Sequence, residues 1–255
     1  MKIIKVKAKT IFTKTKLPAS DWVINQYVGC DHACSYCYAK FISRWKSGNY
    51  GKWGEWVEIK TNAPELVKNK YVNGLVFMSS VSDPYQSIEK DLKLTRKILE
   101  NMDKSIRLVI QTKSDLILRD IDLLKQFKDI EIGFTINNLQ KKLFEPKSPS
   151  NDRRIKALKI LKEKGFKTYV FISPIIPNLI NLKDLILKTK NYADYYWFEF
   201  LNLKAAGKEF QQTLKKEFPK SYKTLIDKRE FQEFVKECKK IIKSEDIKVC
   251  GVETH

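Results

Sequence analysis

The sequence predicts an α/β fold built as a partial (βα)6 TIM-type barrel, in which six parallel strands form an open barrel wall. Short runs of β-branched and other apolar residues alternate with longer amphipathic runs, a pattern typical of β-α crossovers. Six such repeats can be counted, fewer than the eight of a closed barrel. Polar residues follow every predicted strand, where parallel β/α proteins collect their ligands.

The predicted strands are short runs dominated by Val, Ile, Leu and aromatic residues, and they lie at 22–28, 74–79, 106–111, 130–136, 167–173 and 195–201. Amphipathic runs predict helices near 39–46, 88–101, 121–127, 152–164, 182–191 and 228–243. In the fourth helix, Asp152 is placed to cap the start and Gly165 follows the end. A strand at the amino terminus would turn a row of lysines toward water, namely Lys5, Lys7 and Lys9.

Length and composition indicate a single domain. The 255 residues, 43% of them hydrophobic, are enough for one substantial core. We expect this core to span about residues 20–205, with a C-terminal helical extension over 206–255. No run of about 18 apolar residues occurs, and the first residues contain no uninterrupted apolar stretch. The sequence therefore predicts a cytoplasmic protein without a membrane segment.

The most informative motif is a C-x3-C-x2-C run formed by Cys30, Cys34 and Cys37. A structural zinc site has four ligands, and an iron–sulfur cluster held only by cysteines has four thiolates. Three thiolates would leave one iron of a [4Fe-4S] cluster open to another ligand. His32 could join the three cysteines as the fourth ligand of a zinc ion in a cramped loop, which stays an alternative. A disulfide is disfavoured because the chain has an odd number of cysteines, five.

This motif, with Tyr36 before its last cysteine, resembles that of the radical S-adenosylmethionine (SAM) enzymes. The resemblance implies a [4Fe-4S] cluster whose open iron binds the amino and carboxylate groups of SAM. An electron, supplied by a reductant such as flavodoxin or ferredoxin, would cleave SAM to a 5′-deoxyadenosyl radical that takes hydrogen from a substrate. The partial (βα)6 barrel is also the usual fold of that family.

A narrower resemblance covers about residues 25 to 180. Several ordered segments are similar to the spore photoproduct lyase branch of the radical SAM enzymes, also described as DNA repair photolyase-like. They lie at 25–40, 82–86, 94–100, 111–115, 134–137, 144–146 and 148–155. The cysteine motif alone identifies only the superfamily, whereas the set of later segments in order indicates the branch.

The resemblance implies a role for each matching residue. The three cysteines would hold the cluster, and Tyr36 would lie beside the adenine of SAM. Ser82 would help to bind the amino end of SAM and Lys113 its carboxylate, a sensible partner for an ammonium group. Thr135 would contact the ribose, and Asn137 belongs to the same strand-end motif. Two of these residues also have structural alternatives. Lys113 could simply face solvent, and Thr135 could be an ordinary residue of a strand end.

Tyr38 matches a tyrosine that lies beside the reacting centre of the lyase and is proposed there to pass hydrogen between SAM and substrate. Ser80 marks a departure, because the lyase has at that position the cysteine that returns hydrogen to the repaired thymine. A hydroxyl O–H bond is much stronger than a thiol S–H bond, so Ser80 would be a poor hydrogen donor. Cys238 and Cys250 are expected to be ordinary buried thiols.

Three further residues have mainly structural interpretations. Asp83 is placed to cap the helix that begins near residue 88. Glu145 and Arg154 are expected to pair and to fix the loop that leads into the fourth helix.

The glycine-rich, aromatic and basic segment 46–56 is a candidate substrate-contacting loop, or equally a turn-rich linker.

The formal charge of +19 bears on the substrate. Basic side chains supply most non-specific affinity for nucleic acids, although lysine richness also accompanies thermophily. We therefore expect a radical SAM enzyme acting on nucleic acid, by repair or modification. The alternatives are radical modification of a protein, peptide or small molecule, and a zinc-stabilised nucleic-acid-binding module without catalysis. Only two histidines occur, which makes multi-histidine metal centres poor alternatives.

Overall fold

The computed structural model describes residues 1–46 and 50–255, and for Arg44 and Trp45 the backbone only. In this part of the chain the strands are β1 (Lys2–Val6), β2 (Phe12–Lys14), β3 (Trp22–Ile24), β4 (Tyr27–Val28), β5 (Trp56–Lys60), β6 (Leu75–Met78), β7 (Arg107–Thr112), β8 (Ile130–Thr135), β9 (Lys167–Ile175), β10 (Tyr195–Phe200) and β11 (Val249–Glu253).

The α-helices in the same residues are α1 (Ile42–Trp45), α2 (Ala63–Val67), α3 (Glu89–Leu92), α4 (Leu94–Asn101), α5 (Ile121–Leu124), α6 (Lys141–Phe144), α7 (Asn151–Glu163), α8 (Leu182–Thr189), α9 (Leu203–Ala206), α10 (Lys208–Glu217), α11 (Pro219–Ile226) and α12 (Lys228–Ser244). Short 3-10 helices occupy Tyr38–Phe41, Asp115–Asp120 and Lys190–Tyr192. None of the described helices is long and apolar enough to span a membrane.

The six predicted parallel strands are present and adjacent. The larger sheet has the order β11-β10-β9-β8-β7-β6-β3-β2, and each neighbouring pair from β3 to β10 is parallel. This arrangement confirms the α/β partial barrel. Two strands extend it beyond the prediction: β2 is antiparallel to β3 at one edge, and β11 is parallel to β10 at the other. The segment predicted as a helical extension thus contains β11 as well as α10, α11 and α12.

A second, three-stranded sheet lies beside the barrel with the order β1-β5-β4. Strand β1 pairs in parallel with β5 and exposes Lys5, as the alternation predicted, but it ends at Val6, before Lys7. Strand β5 was not predicted, although Trp56 and the three residues after it are buried. It lies in the candidate loop 46–56 only at Trp56; residues 47–49 of that loop lie outside the described part.

The main core lies between the strands and the surrounding helices, and it includes Val76, Ile98, Leu108, Ile132 and Leu158. Residues that alternate along each strand face this core, and the residues between them face the barrel interior, so the strands read as continuous apolar runs.

The inner face of the barrel is filled near the amino ends of its strands. Tyr169 and Tyr195 stack there with ring centroids 5.0 Å apart, next to Val109. Gly133 makes room for this stack, since a Cβ on it would lie 2.0 Å from the Tyr169 ring. The opposite end, where the strands finish, remains open.

Three element boundaries differ from prediction, and only the first involves a side chain from a distant segment. The run at 22–28 is interrupted after β3, where Asn25 bonds the backbone and hydroxyl of Ser80. The predicted helix 88–101 divides at Lys93, which has a φ of 52°. The helix predicted to start at Asp152 begins at Asn151, and Ser150, rather than Asp152, caps it by accepting a bond from the Arg153 amide.

Candidate active site

A cavity of about 160 Å³ opens at the carboxyl ends of the parallel strands. Eight of the nine residues predicted for the site line it: Cys30, Cys34, Tyr36, Cys37, Tyr38, Ser82, Lys113 and Thr135. The ninth, Asn137, is buried behind the wall. The topology explains the convergence, because parallel strands that start at one edge also end at one edge.

The cysteine loop connects β4 to the first 3-10 helix and is held from two sides. Gly29 has a φ of 88°, and a Cβ on it would lie 2.7 Å from the Trp56 carbonyl oxygen, so only glycine fits there. The Asp31 carboxylate accepts bonds from the amides of Ser87 and Ile88, and its own amide donates to Gln86. The loop is therefore anchored to the segment that precedes α3.

Cys30 and Cys34 are buried and Cys37 is half-buried. Burial raises the pKa of all three thiols, to about 12 for Cys34, where Lys113 acts in the opposite direction. Among the described residues, no three His, Cys, Asp or Glu side chains surround a point that one metal ion could occupy. His32 lies in the same wall with its Nδ1 atom 3.5 Å from Asp83.

Asp83 joins the ends of two strands. Its carboxylate accepts bonds from the Thr112 hydroxyl at 2.6 Å, the Lys113 amide at 2.8 Å and the Tyr85 amide at 2.9 Å. The prediction that Asp83 caps the helix near residue 88 is therefore wrong. Asp31, from the cysteine loop, bonds the amides just before α3 instead, a role that local sequence spacing could not reveal.

Ser82 and Lys113 face the cavity from the ends of β6 and β7. The Ser82 hydroxyl donates to the Gly29 carbonyl at 2.6 Å and accepts a bond from Gln86 at 2.7 Å. The Lys113 Nζ atom lies 5.9 Å from the centroid of the Tyr36 ring. Burial alone would lower the Lys113 pKa, but Cys34 and Glu145 raise it above its ordinary value. The cavity therefore holds an ammonium group that is suited to an anionic ligand.

A buried ion pair supports Tyr36 from behind. The Tyr36 hydroxyl donates to Glu145, which pairs with Arg154 as predicted. Asn137 donates to Glu145 at 2.9 Å and to the Ser173 carbonyl at 3.2 Å, so it positions this pair and does not face the cavity. Arg154 and Lys113 lower the pKa of Glu145 to about 2, although burial acts to raise it.

Thr135 reaches the cavity at the end of β8 and is linked to the aromatic stack below it. Gln111 donates to the Thr135 hydroxyl at 3.3 Å, and Tyr169 donates to Gln111 at 3.1 Å. Tyr38 is 48% exposed at the cavity mouth, and its hydroxyl donates to the Ser80 carbonyl. Cys238 is buried as expected but Cys250 is exposed on β11, and neither lines the cavity.

Glu199 lies in the cavity wall and was not predicted. Glu199 accepts a hydrogen bond from Ser173 at 2.6 Å and lies 3.2 Å from His255. The sequence feature that could have indicated Glu199 is its position as the one charged residue in the aromatic run of β10. Trp53 lines the same cavity, and its indole N–H is buried without a partner among the described residues. Trp53 belongs to segment 46–56, the candidate substrate-contacting loop, and this residue of the segment lies in the cavity wall.

Residues 24–185 match the family model of the radical SAM superfamily. This chain belongs to the radical SAM superfamily. An uncharacterised protein of Methanocaldococcus jannaschii is 52% identical over 258 residues, spanning 100% of this chain and 98% of that protein. An uncharacterised protein of Acidianus two-tailed virus is 33% identical over 171 residues, which cover 61% of this chain and 56% of that protein.

Solved structures of spore photoproduct lyase share this radical SAM fold. The lyase complexed with dinucleoside spore photoproduct has a TM-score of 0.59 at 18% identity, covering 86% of this chain and 67% of the lyase. A mutant lyase with bound AdoMet and the same dinucleoside has a TM-score of 0.61 at 17% identity. The fold is thus the one expected from the sequence resemblance to the lyase branch.

The cavity residues fit the groups that a radical SAM protein implies. Three cysteines in one wall supply thiolate ligands, and the Lys113 ammonium suits a carboxylate. The unpartnered Trp53 N–H is a buried donor for which the described residues offer no acceptor.

Proposed function

We propose that this protein reductively cleaves SAM at a [4Fe-4S] cluster and uses the resulting radical chemistry to repair or modify nucleic acid. The observation that carries the proposal is the convergence of Cys30, Cys34, Cys37 and the strand-end residues on one cavity. The bound cluster and SAM would supply an electron and a 5′-deoxyadenosyl radical able to take hydrogen from a substrate. The net charge of +19 and the dinucleoside bound by the structurally similar lyase support the substrate class.

The chain's own residues would bind and orient these groups. The three cysteines would bind the cluster as thiolates, with the irons taking the place of the thiol protons. Lys113 would bind the carboxylate of SAM, and Ser82 would help at its amino end. Tyr36, held by Glu145, would form the wall beside the adenine, and Thr135 would contact the ribose. Asn137 would act through Glu145, as a positioning residue.

Tyr38 and Glu199 would meet the substrate. Tyr38 is exposed at the mouth of the cavity, close to the cysteine loop, where a substrate must enter. Glu199 offers carboxylate oxygens on the inner wall. Because Ser80 carries a hydroxyl and no thiol, we expect the hydrogen that quenches the product radical to come from another group than Ser80.

The test is SAM cleavage by the full chain. The protein would be purified anaerobically, reconstituted with iron and sulfide, and supplied with SAM and dithionite, with 5′-deoxyadenosine measured by chromatography. If DNA or RNA stimulates the formation of 5′-deoxyadenosine, the result would support the whole proposal. Formation that no nucleic acid stimulates would support the cofactors but contradict the substrate class and favour a peptide or small molecule. Bound zinc without iron or cleavage would overturn the proposal in favour of the binding module.

A further inference from the structure

A second cavity, of about 520 Å³, adjoins the one at the cluster motif. The two cavities share Tyr38 and Asn202, so a molecule in the second would lie directly beside the first. The 3-10 helix Tyr38–Phe41, which directly follows the cysteine motif, forms one side of the second cavity. The loop from α9 to α10 forms the other side.

The walls of this cavity combine aromatic rings with positive charge. Tyr38 and Phe41 are 48% and 39% exposed, which is unusual for large rings next to a core. Lys204 and Lys208 are exposed on the opposite side. Lys40 also lines the cavity, and its ammonium group donates to the Ser35 carbonyl. One carboxylate, that of Glu209, is also present in the lining.

The two exposed lysines are available to a ligand. Lys46 and Lys167 form ion pairs with Glu58 and Glu131 respectively. Lys204 and Lys208, in contrast, form no ion pair with any residue of the described ranges. Ammonium groups beside exposed rings suit a chain of phosphates and stackable bases, because phosphates bind the charges and every base has a face that stacks on a ring.

We propose that this cavity holds the single-stranded nucleic acid that flanks the reacting nucleotide. Phosphates would bind Lys204 and Lys208, a base would stack on Phe41, and the next nucleotide would pass Tyr38 into the cluster cavity. The proposal rests on nucleic acid being the substrate class of the proposed function. The second cavity would be the surface that binds the strand. Its residues are different from the cysteines that would bind the cluster.

The experiment measures binding and SAM cleavage separately. Fluorescence anisotropy of a labelled 12-nucleotide oligothymidine would be compared for wild type, a Lys204→Glu/Lys208→Glu double variant and a Lys239→Glu/Lys240→Glu control. The control reverses the same charge on exposed residues of α12, outside the cavity. We expect an affinity loss of about tenfold or more in the first variant and about threefold or less in the control. Phe41→Ala should weaken binding about fivefold or more at constant charge.

Several results would overturn this inference. Equal losses of oligonucleotide affinity in the two double variants would mean that the strand responds to the overall charge of the protein and does not bind at this cavity. Binding of polyglutamate as tight as that of the oligonucleotide, with the same loss in the Lys204→Glu/Lys208→Glu variant, would identify an acidic peptide as the occupant instead. Formation of 5′-deoxyadenosine without nucleic acid should be equal in all these variants. Its absence in wild type would contradict the proposed function, and not the location of the binding surface.

Discussion

At the scale of single residues, burial of the cysteines has a direct chemical consequence. It raises the pKa of Cys30, Cys34 and Cys37, so each keeps its proton until a positive group replaces it. Iron ions are such groups, and coordinated thiols lose their protons. Cluster binding should therefore depend on each of the three cysteines and on no other cysteine of the chain.

Replacing Cys34 with Ala should abolish both the brown absorbance of the reconstituted cluster and the cleavage of SAM. Two thiolates cannot hold a cluster that needs three from the protein. Cys250→Ser is the matched control, because Cys250 is exposed and outside the cavity. Iron and sulfide content, the visible spectrum and 5′-deoxyadenosine would be measured for both. Full iron content and activity in Cys34→Ala would contradict the assignment.

Glu145→Gln should destabilise the protein by about 3 kcal/mol at pH 7, because it leaves the buried Arg154 guanidinium without its carboxylate partner. The pKa of Glu145 is lowered from 4.5 to about 2 in the folded protein. Its contribution to stability is therefore complete above about pH 4.5 and is lost as the pH falls toward 2. The wild type should lose this amount over that range, and the variant should not.

Urea unfolding of the cluster-free protein at several pH values would check this prediction. Glu163→Gln, on the exposed side of α7, provides the control and should change stability by less than about 0.5 kcal/mol. Parallel pH curves for wild type and Glu145→Gln would show that the pair contributes nothing to the pH dependence.

At the scale of elements, the division between α3 and α4 has an identifiable cause. Lys93 adopts a left-handed conformation with a φ of 52°. The Glu89 carboxylate then accepts bonds from the amides of Thr95 at 2.9 Å and Arg96 at 3.4 Å, in the first turn of α4. A buried glutamate thus satisfies amides at the start of a new helix, which a continuous helix would not require.

Lys93→Gly should raise the free energy of unfolding by about 0.5–1 kcal/mol, because glycine adopts positive φ without the cost that a Cβ imposes. Thermal unfolding would detect this as a shift of about 1–4 °C. Lys97 is also exposed but lies inside α4, so Lys97→Gly should instead lower stability by about 1 kcal/mol. Opposite signs for two Lys→Gly changes four residues apart would be hard to explain in any other way.

Packing between β8 and β9 connects the core to the cavity. Gly133→Ala would place a Cβ 2.0 Å from the Tyr169 ring, and it should destabilise the fold by about 1–3 kcal/mol. Displacing Tyr169 would also disturb Gln111 and Thr135, so we expect weaker SAM binding in the variant.

Denaturant midpoints and SAM titration of the reconstituted protein would measure both effects. Gly165→Ala is the comparison, because its Cβ would meet nothing within 4 Å and only its positive φ opposes the change. A loss of stability no larger than in Gly165→Ala, with unchanged SAM binding, would contradict the role of Gly133.

At the scale of the whole molecule, the charge of +19 should make nucleic-acid binding strongly salt-dependent. We expect the affinity for an oligonucleotide to fall at least about tenfold between 50 and 200 mM salt, because bound lysines release counterions from the phosphates. The slope of log affinity against log salt would be measured by anisotropy. A slope near zero would mean that the basic surface does not contact phosphates.

Much of the fold and site could be predicted because the signals are local. The six strands follow from runs of apolar residues, and Cys30, Cys34 and Cys37 lie close in sequence. Ser82, Lys113 and Thr135 follow or end strands, so parallel topology alone brings them to one edge. Asn137 also follows a strand, yet its side chain turns into the wall and bonds Glu145. Position at a strand end predicts proximity to the site, but it does not predict direction.

The sequence by itself determined the fold class and the three cysteines, because periodicity and spacing within one segment carry that information, and the resemblance of its motifs indicated the radical SAM superfamily. Only the tertiary structure decided which distant partners each side chain meets. It assigned Asp31 to the turn before α3, added β5 and β11, and brought Glu199 and Trp53 to the cavity wall. The physical reason is that these contacts join segments far apart in the chain. Which residues meet depends on how the whole chain packs, and a local sequence pattern carries no information about that.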